Sequence, residues 1–260
     1  MDNTADSAVN GRRHLFGLSL AAAGAAGLLA VPHARAATVA GAASPTALMQ
    51  RIAQMPARRD FKTVPMILDK PGQWDAEALD AVMAYGGHRK QVWDNTDIAS
   101  PWLNVMRNSL NTQQFSFHHA DFLAVSATHG TAHLALFDDH IWDKYKLGAL
   151  TGGKFKSNTL LPARHASTSP QDFEEESSVF GPAGNTISAL QSRGIIFLAC
   201  HNAIWEVTGK LIAKGINPDH KPHPEVAADL TNHLVPGAVL TPGIVATIPE
   251  LQSSGFVYIK

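Results

Sequence analysis

The sequence contains a single cysteine, Cys200, among 260 residues. One cysteine excludes an internal disulfide, which small exported domains otherwise use to stabilise a limited core. The ordinary role of a free cysteine is that of a small, buried apolar side chain. The residues around Cys200 therefore decide whether it only packs or also reacts.

The chain also lacks an excess of charge of either sign, because 21 basic residues face 22 acidic ones and the pI is near neutrality. Without a long-range electrostatic field, nucleic acid and acidic membrane surfaces are not expected partners. Beyond the first 36 residues, no apolar run approaches the length of a membrane span. We therefore expect no nucleic acid partner and no membrane span in the mature chain.

The first 36 residues have the three-part layout of a secretory signal, with a charged start, an apolar middle and a small-residue end. The apolar run from Leu15 to Val31 is too short and too rich in Ala and Gly for a good membrane span. Pro32 ends any helix, and Ala34-Arg35-Ala36 offers the small side chains that a signal peptidase accepts. We expect cleavage after Ala36 and a periplasmic mature chain; the alternative is an uncleaved anchor on the same side.

Arg12 and Arg13 stand directly before this weakly apolar run. The pair resembles the twin-arginine export signal, which carries proteins that have already folded. Gly11, Leu15 and Gly17 replace residues that this signal usually has, so the general secretory route stays open. Both routes lead out of the cytoplasm.

Residues 37–260 are long enough for one domain with a sizeable core. Apolar runs closed by turn residues alternate with helical patterns, which predicts an α/β fold with a parallel sheet and helices on both faces. Strands are expected at residues 61–68, 121–128, 195–199, 239–240 and 256–259. Helices are expected at residues 46–55, 75–85, 101–111, 187–193, 201–214 and 244–253. Asp75 is the expected N-cap of the second helix, and segments 138–186 and 217–233 are expected to be surface inserts.

Cys200 directly follows the predicted buried strand 195–199 and precedes a predicted helix. Ligands collect at such junctions of a parallel sheet because the backbone N–H groups that begin a helix lack partners. A helix N-terminus also favours negative charge and lowers the pKa of a cysteine placed there. We therefore expect Cys200 to be a partly exposed thiolate, whose pKa falls further if His201 or His129 is close and protonated.

Three segments resemble the DsrE/DsrF-like family, whose small domains have the YchN-like fold and are associated with sulfur relay: residues 192–203 around Cys200, 234–245, and 251–259. The segment 121–128, with His129-Gly130, resembles the other buried strand and glycine turn of this family. Together these segments cover about half of the mature chain, and the one around Cys200 is the most specific.

The resemblance implies a three-layer α/β fold and a homo-oligomer, either a trimer or a hexamer made from trimers. It further implies that Cys200 accepts sulfur, that Asn202 is the polar residue two positions later, and that the partner is a small sulfur compound or a sulfur-relay protein. His201, the two inserts and the export signal depart from the family pattern. Fold alone does not establish activity, so these departures bear on function more than on fold.

Several histidines suggest a metal site as an alternative. His129 and His133 have a spacing found in zinc sites, and His201 could lie near them if both loops open on one sheet edge. No Cys-x2-Cys or His-Glu-x2-His motif accompanies them, so we expect no bound metal or cofactor. His220 and His223 lie between prolines and are expected in a solvated loop.

The leading interpretation is an exported sulfur-handling protein, with Cys200 as the reactive residue and His201, Asn202 and His129 as the other site residues. One alternative is a non-catalytic binding or assembly module in which Cys200 only packs. The other is a histidine-supported metal or cofactor binder. The exposure of Cys200 is the observation that best separates these functions.

Overall fold

A five-stranded sheet is the centre of the computed structural model, which describes residues 41–162 and 169–260. In chain order, its strands are β1 (Lys90–Asn95), β2 (Leu123–Thr128), β3 (Ile196–Cys200), β4 (Val239–Thr241) and β5 (Val257–Ile259). They are hydrogen-bonded in the order β4-β3-β2-β1-β5, and every pairing is parallel. The predicted α/β class is thereby confirmed. The predicted signal and its cleavage site lie outside the described residues.

Helices connect the strands because parallel neighbours need long crossover connections. The α-helices are α1 (Pro45–Ala53), α2 (Ala76–Met83), α3 (Trp102–Asn111), α4 (Asp139–Lys144), α5 (Ile187–Ser192), α6 (His201–Ala213), α7 (His223–Asn232) and α8 (Ile244–Ser253). Helices α1, α2 and α8 pack on one face of the sheet, and α3, α6 and α7 pack on the other. In the described part of the chain, no helix is long and apolar enough to cross a bilayer.

Two buried cores lie on the two faces of the sheet. Every residue of β2 and β3 is buried. Successive side chains of β3 alternate between the cores: Phe197 packs with α3 and α6, whereas Leu198 and Cys200 pack with α2 and α8. Central parallel strands are covered on both sides, so their sequences are continuous apolar runs that can be identified from sequence.

The strand predicted over residues 61–68 is wrong, because this segment forms irregular coil. The side-chain amide of Asn232 replaces a neighbouring strand: its Oδ1 accepts the N–H of Phe61 at 2.9 Å, and its Nδ2 donates to the carbonyl of Phe61 at 2.8 Å. Met66 and Ile67 in the same segment are exposed to solvent. The apolar residues that suggested a strand therefore only partly enter the core.

The first strand is instead β1, which the sequence did not predict. Lys90, Gln91 and Asp94 interrupt its apolar pattern, and only Val92 and Asn95 are buried. The strand tolerates polar residues because its outer neighbour, β5, is short and largely exposed.

The two segments expected over the surface also contribute buried side chains. Residues 138–186 supply six buried aromatic or aliphatic side chains, namely Ile141, Trp142, Tyr145, Leu147, Val179 and Phe180. Residues 217–233 include α7, which packs its apolar face against α6. His223 begins this helix rather than lying in a solvated loop: its ring stacks on the indole of Trp205 at 4.0 Å. The prolines before α7 mark the start of a helix, since proline is tolerated in a first turn.

The ion pair of Arg59 and Asp75 binds the backbone groups along the outer edge of β4. Asp75 occupies the predicted N-cap position of α2, but its carboxylate makes no cap hydrogen bond with that helix. Instead, Asp75 Oδ2 accepts the N–H of Leu240 at 2.7 Å, and the N–H of Asp75 donates to the Leu240 carbonyl at 3.0 Å. Arg59 binds both carboxylate oxygens, at 3.1 and 2.7 Å, and donates to the carbonyl of Ala238 at 3.1 Å. The edge strand therefore has its backbone groups satisfied and is not free to pair with another chain.

Candidate functional site

Cys200 lies where two helices begin. It ends β3 and is the N-cap residue of α6, and its Sγ accepts the N–H of Ala203 in the first turn of α6 at 3.4 Å. The N–H of Ile244, the first residue of α8, donates to the same sulfur at 3.3 Å. Both helix dipoles therefore favour negative charge on this sulfur.

Burial opposes that effect. Cys200 is only 4% exposed. This burial raises the pKa of the Cys200 thiol, and the N–H groups of Ile244, Ala203 and Asn202 offset only part of the rise. The expectation of a partly exposed thiol with a lowered pKa is therefore wrong: Cys200 is buried, and its raised pKa favours the protonated thiol.

Asn202 is exposed and packs on the backbone that precedes α8. A Cβ atom built on Gly243 would stand 2.7 Å from the Asn202 Nδ2 atom, so a side chain there would require the exposed Asn202 amide to move. The Asn202 amide therefore lies against the residue that precedes α8. Asn202 is thus a structural neighbour of Cys200, as its position in the sequence predicted.

His201 lies on the other face of the sheet from Cys200. Its Nε2 donates to the carbonyl of Pro65 at 2.8 Å, and its ring lies 6.4 Å from that of Trp205. The ring is fully buried, and this burial lowers the pKa of His201. His201 therefore holds the segment 61–68 against α6 in its neutral form and has no contact with the sulfur among the described residues.

His129 follows β2 and is held by a carboxylate. Its Nε2 lies 2.6 Å from Asp94 Oδ1, and the hydroxyl of Tyr258 donates to Asp94 Oδ2 at 2.7 Å. The side chains of His129 and Asp94 are 21% and 12% exposed. Burial alone would raise the pKa of Asp94, but the hydrogen bonds from Tyr258 and His129 outweigh it and lower this pKa. Asp94 is therefore ionised and fixes the orientation of the imidazole.

Asp94 and Tyr258 were not found by sequence reasoning. Asp94 belongs to β1, the strand that was not predicted, and Tyr258 comes from the far end of the chain. The available signal was an aspartate near the end of a polar strand, which becomes informative only once the strand order is known.

His133 is buried with no hydrogen-bond partner for either ring nitrogen in the described part of the chain. Burial, together with smaller contributions from nearby His129 and His201, lowers the pKa of His133 to about 3. The residue lies in a 3₁₀ helix over residues 130–136, whereas His129 has an extended backbone. The His-x3-His spacing therefore does not form the helical pair that a metal site would use.

Within residues 41–162 and 169–260, no three or more His, Cys, Asp or Glu side chains are arranged to hold a metal ion. Comparison of the chain with protein-family models, with curated proteins and with solved structures found no match. The resemblance to the DsrE/DsrF-like family therefore stays a prediction that depends on the three segments around Cys200 and after it.

Proposed function

We propose that this protein is an exported sulfur carrier or sulfurtransferase-like protein that works through Cys200. The observation that supports this function is the convergence of two helix N-termini on one sulfur atom. Such a site stabilises a thiolate or a persulfide anion with backbone N–H groups and needs no fixed cation. The parallel sheet with helices on both faces is also the architecture that the family resemblance implies.

The burial of Cys200 limits what can reach it. Ile244 and Asn202 stand beside the sulfur, so a small donor fits the site better than the thiol of a protein chain. With thiosulfate as the donor, the Cys200 thiolate attacks the outer sulfur, the S–S bond of thiosulfate breaks, and sulfite leaves with the bonding electron pair. Cys200 then carries one extra sulfur as a persulfide anion, and charge and atoms balance. We therefore favour a small anionic sulfur compound over a sulfur-relay protein as the partner.

Treatment of the purified protein with thiosulfate or polysulfide is expected to add increments of about 32 Da to Cys200, as a persulfide would. Cys200→Ser should abolish the increments without loss of fold, because serine is a favoured N-cap residue and accepts the same N–H groups. Intact-mass spectrometry measures the increments, and thermal unfolding checks the fold.

A sulfinic acid adds nearly the same mass as a persulfide, so dithiothreitol is the necessary control. Dithiothreitol removes the sulfur of a persulfide and leaves a sulfinic acid unchanged. Wild-type protein that gains no dithiothreitol-sensitive mass at any pH between about 6 and 9, a range that brackets the usual thiol pKa, contradicts the proposal.

A non-catalytic binding or assembly module is the second candidate, and the burial and raised pKa of Cys200 favour it. In that case Cys200 is only a packed side chain at a helix start, and the mass experiment above gives no increment. The homo-oligomer implied by the resemblance, a trimer or hexamer, is compatible with both candidates.

The export part of the proposal has its own test. Protein recovered from the periplasm is expected to begin at Ala37, because a small-residue cleavage site ends at Ala36. If the twin-arginine route is used, replacing Arg12 and Arg13 together by lysine leaves the precursor in the cytoplasm. Intact-mass measurement distinguishes the two forms, and a periplasmic protein that retains residues 1–36 contradicts cleavage.

A further inference from the structure

We propose that His129 is the proton-transfer residue for Cys200, and that Asp94 and Tyr258 are the residues that position it. This inference depends on the proposed sulfur chemistry of Cys200. Its starting point is that a buried, protonated thiol needs a base before it can attack a donor.

The strand register places the three side chains along one edge of the sheet. Asp94 is paired with Ala127 of β2, and Thr128 is paired with Ala199 of β3. His129 and Cys200 are each one residue further along these neighbouring strands. The N–H of His129 still donates to the carbonyl of Asn95 at 3.0 Å, so the ladder between β1 and β2 continues to this level. Neighbouring parallel strands lie about 4.8 Å apart, so His129 and Cys200 are adjacent along the edge.

The alternation of side chains places all three on the same face of the sheet. Val92, Ala127 and Leu198 belong to the core under α2 and α8, and so does Cys200. Asp94 is two residues after Val92, and His129 is two residues after Ala127, so both continue this face. An acid, a histidine and a cysteine therefore stand in that order on β1, β2 and β3.

The hydrogen bonds of His129 fix its tautomer. Because ionised Asp94 can only accept, the Nε2 atom of His129 carries a proton, which leaves Nδ1 as the ring nitrogen that can act as a base. Tyr258 in turn fixes the carboxylate of Asp94. An acid that orients a histidine in this way is the arrangement that activates cysteine and serine nucleophiles on unrelated folds. No hydrogen bond joins His129 to Cys200 in the described part of the chain, and the hydrogen bonds of catalytic groups commonly tighten in the substrate complex.

With a persulfide donor, R–S–SH, the reaction balances without any oxidant or reductant. The Nδ1 atom of His129 takes the proton of the Cys200 thiol, and the thiolate attacks the terminal sulfur of the donor. The S–S bond of the donor breaks, its thiolate leaves with the electron pair, and His129 returns the proton to it. The products are a Cys200 persulfide and R–SH.

The groups that face this pair are few in the described part of the chain. Lys260 acts on Asp94 and favours its ionised form, and Glu206 acts on Cys200 and disfavours the thiolate. Neutral His133 is the other nearby titratable group. Replacement of His129 is therefore expected to change the reactivity of Cys200 more than replacement of any of these neighbours.

The test measures the rate at which Cys200 of the full mature chain reacts with iodoacetamide and with sodium tetrasulfide. The measurements run from about pH 6 to about pH 10, which covers roughly two pH units on either side of the usual thiol pKa. At pH 7, His129→Gln should slow both reactions by about 100-fold, a typical contribution of one general base. Asp94→Asn should slow them by about 10-fold, because the wrong tautomer becomes possible, and Tyr258→Phe should have a smaller effect. At the alkaline end the rates of all variants should converge, since hydroxide then ionises the thiol without His129.

His233→Gln is the matched control, because His233 also pairs with a carboxylate, Asp138 Oδ2 at 3.0 Å, but on the outer helices. It should react as the wild type does. Folded His129→Gln protein with a wild-type pH profile overturns the inference while leaving the sulfur-carrier function intact. A wild-type protein that never takes up sulfur instead overturns the proposed function. If His129→Gln does not fold, the reaction rate of Cys200 in Asp94→Asn tests the same inference.

Discussion

Replacing Asp75 by alanine is expected to lower the free energy of unfolding by about 3 kcal/mol, the lower end of the range for breaking a buried ion pair. The side chain of Asp75 is 5% exposed and that of Arg59 is 19% exposed, so the pair is largely shielded from water. The substitution leaves the guanidinium of Arg59 without its carboxylate and the N–H of Leu240 without an acceptor. Urea titration at neutral pH measures the change, provided that the slope of the unfolding curve stays constant.

A neighbouring ion pair supplies the control. Arg58 and Asp60 are bonded at 2.8 Å, but both side chains are mostly exposed. Asp60→Ala should therefore leave the unfolding midpoint unchanged within error. If Asp75→Ala is as mild as Asp60→Ala, the Arg59–Asp75 pair does not stabilise the β4 edge and our account of that edge is wrong.

Asp75 also shows why local sequence rules fail at such positions. An aspartate before an apolar helical pattern predicts an N-cap, and Asp75 does stand at the start of α2. Its carboxylate binds Leu240 and Arg59 instead, and Leu240 is 165 residues away in the sequence. The backbone groups of a buried edge strand need hydrogen-bond partners. The carboxylate of Asp75 therefore binds β4 rather than the N–H groups at the start of α2, which water can reach.

The parts of the fold that could be predicted are those in which a local signal agrees with the tertiary structure. Helix α8 has the predicted bounds because Gly243 precedes it and Gly255, with a φ of 91°, follows its end. Strand β3 was predictable because a fully covered strand is apolar throughout. Strand β1 was not, since its polar residues reflect a neighbouring exposed strand that only the topology specifies.

The candidate site, like the fold, could be predicted from the sequence only in part. The position of Cys200 between a strand and a helix follows from its own sequence neighbours. Its burial does not, because Ile244 belongs to a helix 44 residues away. The orientation of His129 depends on Asp94 and Tyr258, from two further strands. Strand ends that are separate in sequence meet at one edge only in the folded sheet, so the sequence predicted Cys200 and His129 as site residues and missed the carboxylate that orients His129.

The second large effect is expected with pH. The free energy of unfolding should fall by about 2 kcal/mol through His133 as the pH is lowered from 7 to 5, since each pH unit below the unfolded pKa of about 6.5 contributes about 1.4 kcal/mol. Burial holds the pKa of His133 near 3 in the folded chain, so the unfolded chain binds the extra proton across this range. The stabilisation is therefore complete above pH 6.5 and is lost progressively as the pH falls toward 3.

Burial also lowers the pKa of His201, which adds to the same acid sensitivity, so the informative quantity is the difference between variants. His133→Leu should be at least as stable as the wild type at pH 7, because neither ring nitrogen of His133 has a hydrogen-bond partner to lose among the described residues. Its stability should then fall less steeply between pH 7 and pH 5, by about 2 kcal/mol in total. Urea titrations at several pH values in this interval measure both slopes.

His88→Leu is the control for a histidine with an exposed side chain, since the side chain of His88 is 93% exposed. Its free energy of unfolding at pH 7 should stay close to that of the wild type, because substitutions of exposed side chains change stability little. If His133→Leu keeps the wild-type pH slope, then His133 is protonated in the folded chain or is reached by solvent, and the core between the sheet and α6 is more open than its packing indicates. A reduced slope in His133→Leu alone would instead establish that this imidazole is buried without charge, next to the face of the sheet that is opposite to Cys200.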